Sequence, residues 1–171
     1  MMNHKRILPA LTASLAVLSL AACGGETEEP ATEVAESDCP PGVSVADGWL
    51  AMPAVAGNPA AAYFTISNTN EDAVTIRSAE MIGSESAMLH ETAEWSMEED
   101  MQELFTQRVE PGEDLEFAPG GKHVMIMGMS DGLEAGSESE ITLTFVGGDK
   151  CSFPVTLYAA GTDPREEEEE A

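Results

Sequence analysis

The chain has 171 residues, with 32 Asp and Glu against seven Lys and Arg, and a formal net charge of −25 at pH 7. A protein this acidic has almost nothing with which to neutralise phosphates, which excludes nucleic-acid binding. Much of the acid is dispersed along the body, as on a solvated, salt-tolerant surface, and the rest is gathered in the tails.

The chain opens on "MMNHKRILPALTASLAVLSLAAC": a basic start, an apolar run from Ile7 to Leu20 and a small-residue end. This is a bacterial export signal over residues 1–22, too short for a membrane span. Leu20-Ala21-Ala22-Cys23 resembles a lipobox, which makes Cys23 the lipidation site and a lipid anchor the only membrane attachment; the alternative is a soluble periplasmic protein cut near Ala22, with Cys23 incidental. Gly24 follows in place of the Asp that retains lipoproteins in the inner membrane, so the expected location is a periplasmic one, anchored to the outer membrane. Residues 23–41 are acidic and small, a flexible tether. Residues 42–160 form a single domain of about 120 residues, large enough for one core. Residues 161–171, "GTDPREEEEEA", read as a disordered acidic tail.

Within the domain the alternation of apolar and polar residues predicts strands and no helix. They run over residues 43–46, 48–52, 61–68, 73–81, 87–93, 101–109, 114–117, 122–129, 139–146 and 151–158. Turn chemistry separates them at Asn68–Asp72, Pro111-Gly112, Pro119-Gly120-Gly121, Asp131-Gly132 and Gly147–Asp149. Many short strands with frequent turns predict an all-β, Ig-like two-sheet sandwich. Cys39, ahead of the first strand, and Cys151, opening the last, suit a disulfide in an exported protein. Closing so long a loop is worth on the order of 4 kcal/mol. The alternative is a pair of free thiols that bind metal.

The chemistry gathers around "GGKHVMIMGM". On a strand, His123, Met125, Met127 and Met129 share one face, while Val124 and Ile126 share the other. Beyond the leader the only other histidine is His90, with Met88 two positions before it. A hairpin across "ETAEWSMEED" returns Met101 towards His90, with Trp95 and Met97 on its loop. Imidazole and thioether form a soft, neutral donor set that suits Cu(I), survives an oxidising compartment and is ill-suited to hard cations. Zinc prefers Cys or carboxylate partners. The bland reading of the same stripe is core packing, since methionine fills gaps readily. Met127 and Met129 are read as packing, with Met88 and Met127 as auxiliary donors. There is no GxSxG, phosphate loop or HExxH, so no catalytic residue is assigned and the chain is read as a non-enzyme.

The spacing His90-x10-Met101-x21-His123-x-Met125 resembles that of the periplasmic copper chaperones called PCuAC. The similarity extends to "VSVADGWLAMPAVAGNPAAAYFTISN", "VEPGEDLEFAPGGKHVMIMGM" and "LEAGSESEITLTFVGG", across roughly Val43 to Leu157. The resemblance implies a cupredoxin-like β-sandwich holding one Cu(I) through His90, Met101, His123 and Met125. It further implies delivery of copper to cytochrome oxidase or a Sco-like assembly factor. The rival expectation is a metal-independent envelope lipoprotein that binds another protein through an Ig-like fold.

Overall fold

The computed structural model describes residues 38–95 and 98–165, with the side chains of residues 94–99 left aside. The leader, Cys23, most of the tether, the Trp95 side chain, Met97 and the Glu-rich end of the tail lie outside the described residues.

Among the described residues the regular elements are ten strands, and they follow the alternation of the sequence. In chain order they are β1 (Val43–Ala51), β2 (Ala60–Asn68), β3 (Val74–Met81), β4 (Ser86–Trp95) and β5 (Glu98–Glu103). They continue with β6 (Gln107–Val109), β7 (Glu113–Phe117), β8 (Lys122–Met127), β9 (Glu138–Phe145) and β10 (Lys150–Tyr158). β2 shows the pattern most cleanly: Ala60, Ala62, Phe64 and Ile66 are buried, and the residues between them are partly open. The two short strands expected at residues 43–46 and 48–52 are one strand, bent at a bulge between Ala46 and Trp49. The strand expected at residues 101–109 is two: β5 pairs with β4, and β6 crosses to β3. β8 stops at Met127 because Gly128 adopts φ 61°, which only glycine takes up readily.

All pairings are antiparallel except β1 with β10. The hydrogen-bonded order β4-β8-β2-β1-β10-β9-β3 closes on itself where β3 meets β4 at Ala79↔Ala87. The all-β expectation therefore holds, but the layering is that of one closed, barrel-like sheet of seven strands in place of two separate sheets. Closure removes the open edges of the seven barrel strands, leaving β5 and β6 as the flanking edge strands. β5 flanks β4, β6 flanks β3, and β7 pairs with β2 beyond the end of β8.

The barrel is filled by Leu50, Ala62, Phe64, Ile66, Ile76, Val124, Ile126, Ile141, Leu143, Val155 and Leu157. Phe64 stacks on Phe117 at 4.4 Å between ring centroids and leans on Phe153 at 4.9 Å. Each such side chain, fully buried, contributes about 1.5–3 kcal/mol. Cys39 and Cys151 are disulfide-bonded across 112 residues, and Asp38 makes a bridge to Ser152 beside them. Asp38 and Cys39, inside the stretch assigned to the tether, are thereby tied to the domain. At the other end residues 162–165 also lie against the barrel, where Arg165 forms ion pairs with Glu116 and Asp163. The start of the expected disordered tail is thus held by charge pairing.

Candidate metal centre

The register between β4 and β8 determines the site. His90 stands directly opposite His123, and Met88 directly opposite Met125. Residues facing each other across an antiparallel pair share a face, with Cβ atoms about 4.5–5.5 Å apart. Leu89, Val124 and Ile126 point into the barrel, so the two histidines and these methionines lie on the outer wall. β5 extends that wall: Glu103 is opposite His90, and Met101 is opposite Thr92, diagonal to His90. The same face carries Tyr63 of β2, whose ring lies 6.3 Å from that of His123.

Though on the outer wall, the imidazoles are closed off, with 9% of His90 and 6% of His123 exposed. Their ring centroids are 5.9 Å apart, with the planes inclined at 48°. An imidazole nitrogen binds a transition metal at about 2.0–2.1 Å, so two rings on one ion have centroids no more than roughly 6.4 Å apart. The observed separation falls within that limit. His123 Nδ1–H donates to the Gly121 carbonyl at 3.1 Å, which leaves the Nε2 lone pair free as a donor. The Gly121 carbonyl also accepts the Thr92 amide at 3.0 Å, so the turn that fixes the ring is tied to β4.

Neither ring nitrogen of His90 has a hydrogen-bond partner, although both are buried. Leaving such atoms unsatisfied costs about 1–3 kcal/mol, and buried polar atoms are ordinarily paired. Burial pushes the His90 pKa down, the neighbouring His123 adds to this, and Glu103 opposes it. The neutral imidazole, the form that binds metal, is thereby favoured. Among the described residues no group of three or more His, Cys, Asp and Glu is disposed to hold a metal ion. The two imidazoles face each other, and the register places Met88, Met125 and Met101 on the same wall; imidazole and thioether are donor types that fit a soft monovalent cation.

Several expectations change. Met129 leaves the face, because Gly128 interrupts the alternation, and packs against the core. Met127 lies opposite Ser86, two positions beyond Met125, at the far end of the face. His123 is closed to solvent, whereas Met101 is exposed, at 53%. Cys39 and Cys151, bonded to each other, are not thiol ligands. The part of Glu103, Tyr63 and the Gly121 carbonyl was not read from sequence. Only the β4–β5 register could have signalled Glu103.

Comparison with known proteins places the chain. Residues 43–157 match the family model described as "Putative lipoprotein LpqE-like". "Putative lipoprotein Lxx21020" of Leifsonia xyli subsp. xyli (strain CTCB07) is 32% identical over 149 residues, 86% of this chain and 87% of that protein. Among solved structures, the "Copper-bound PCuAC domain from PmoF2" superposes with a TM-score of 0.60 at 18% identity, over 72% of this chain and 98% of that one. At that identity the likeness is one of fold. The solution structure of CuI-DR1885 from Deinococcus radiodurans gives a TM-score of 0.50 at 25% identity, over 75% of this chain and 86% of that one. With its closed β-barrel and histidine pair, the chain belongs to the LpqE-like lipoprotein family and has the fold of PCuAC domains.

Proposed function

We propose that the domain is an extracytoplasmic metallochaperone whose cargo is Cu(I), held by His90, Met101, His123 and Met125. The observation that carries this reading is His90: a buried imidazole, biased neutral, with both nitrogens unpartnered, facing a second imidazole whose Nε2 is left free. A metal ion supplies the missing partner. Thioethers on both sides of the histidine pair select a soft one. The copper named in the PmoF2 and DR1885 structures supports the same cargo.

Release follows from the same geometry. Thioethers are neutral, so losing one separates no opposite charges, and copper can pass by stepwise exchange to an incoming thiolate or imidazole. Met101 lies on the flanking strand and is the exposed member, so it is the donor positioned to leave first. The receiver in this reading is cytochrome oxidase or a Sco-like assembly factor. The domain is a carrier without catalytic residues. Cys23 anchors it by lipid to the envelope after loss of residues 1–22, on the outer membrane given Gly24, and residues 23–41 serve as the tether.

The test is Cu(I) competition titration of the mature domain and its double variant Met101→Leu/Met125→Leu. Leu is close to Met in volume, so the fold is retained. Affinity is expected to drop by more than about a hundredfold, beyond what outer-shell changes cause. Equal affinity in the two proteins would overturn the assignment and favour a metal-independent binding module.

A further inference from the structure

The wall that carries the histidines continues across β2 and β1 into a cavity of about 360 Å³ between β1, β7 and residues 164–165. Asp47, Trp49, Glu116, Tyr158 and Arg165 line it. Its rim is specially built. Asp47, at φ 56°, is the one described non-glycine residue with positive φ, and it sits in the β1 bulge. At Gly48 beside it a Cβ would come within 2.6 Å of the Pro154 carbonyl, so the bulge needs glycine there. Bulges re-aim side chains, and a strained residue held in place by its surroundings is a mark of function.

A cation already occupies the cavity. The Arg165 guanidinium lies 5.7 Å from the centroid of the Trp49 ring, within cation–π range. It donates to Glu116 at 2.9 Å and to Asp163 at 3.0 and 2.7 Å. Aromatic floor, carboxylates and a planar fork of donors are the elements of guanidinium recognition. The seat is also displaceable. The Arg165 side chain is 42% exposed and its pairs are surface pairs, which hold weakly.

We infer that this cavity is a docking socket for a basic side chain of the copper-receiving partner, with the chain's own Arg165 as its resident occupant. This rests on the copper reading only in naming the partner. With a net charge of −25, general attraction brings basic partners close but does not orient them. The socket supplies the fixed point. Trp49 lies 4.6 Å from Tyr63, and Tyr63 lies 6.3 Å from His123. A partner seated by one Arg or Lys at Trp49 therefore stands beside the copper donors. Arg165 keeps the socket filled until that side chain, brought to high local concentration by docking, replaces it.

The experiment uses copper-free mature protein and ethylguanidinium chloride as the probe, with sodium chloride at equal ionic strength as the control. The indole N–H of Trp49 is followed by NMR. In Arg165→Ala the probe is expected to give a saturable shift that the salt control lacks. Binding should be at least about tenfold weaker in the native chain, where Arg165 competes, and likewise in Arg165→Ala/Glu116→Gln, which lacks the carboxylate. If Arg165→Ala folds poorly, agmatine titrated into the native chain should shift the Arg165 Nε–H signal. No saturable shift in either protein, or one indifferent to Glu116, would reduce Arg165 to a clasp for the chain end and overturn the socket. Because no copper is present, that failure is distinct from a failed Cu(I) titration.

Discussion

His90 concentrates the physical tension of the site. Its ring is buried, its nitrogens are unpaired, and its pKa is pushed below the ordinary value by burial and by His123, against the pull of Glu103. The unfolded chain therefore binds the proton first as pH falls. Stability of the metal-free domain should decline below about pH 6.5, the unperturbed histidine value, and level off once the folded pKa is passed. Denaturant unfolding between about pH 7.5 and about pH 5.5 checks this. The decline should shrink in His90→Leu, and an unchanged slope in that variant would show that His90 is not its source. At the same scale, Met101 and Met125 differ in exposure. Replacing either by Leu should weaken Cu(I) binding, while release to a chelator should accelerate in Met101→Leu, which lacks the outer donor.

The strands decide which residues meet. The β4–β8 register sets His90 against His123 and Met88 against Met125, and alternation does the rest. That alternation was legible in the sequence, as was the hairpin that returns Met101, because both depend on local pattern and turn chemistry. Three features were not legible. The break after β5 follows from β6 crossing to β3, a long-range pairing. Met129 left the face because one glycine took a left-handed conformation. Closure of the barrel depends on a single pairing, Ala79↔Ala87, which no local pattern announces. Among the described residues β5 hydrogen-bonds only to β4, so it belongs to the less stable end of the fold. Amide exchange at residues 100–103 should be faster than at residues 124–126 and should slow on Cu(I) loading, as Met101 becomes a ligand. Exchange at β5 that ignores copper would remove Met101 from the ligand set.

For the whole molecule, the barrel core and the long disulfide loop hold the site without taking part in it. Removing the bridge as Cys39→Ala/Cys151→Ala should lower stability by about 4 kcal/mol and leave Cu(I) affinity unchanged, since the two sulfurs are bonded to each other and not offered as thiolates. A loss of affinity in the folded variant would show that the thiols contribute. The surface charge acts at longer range. Copper transfer to a cationic acceptor should be fast at low salt and slow steeply as ionic strength rises, because screening sets in over about 10 Å at 0.1 M. Transfer to an anionic acceptor should show the opposite trend.

All of this depends on two imidazoles and thioethers from β4, β5 and β8 sharing one ion. The most direct measurement is X-ray absorption at the copper edge on the mature domain loaded with one equivalent of Cu(I). The account predicts a mixed shell of two nitrogen and two sulfur neighbours that loses sulfur in Met101→Leu/Met125→Leu. A shell without sulfur, or the same shell in that variant, would contradict it.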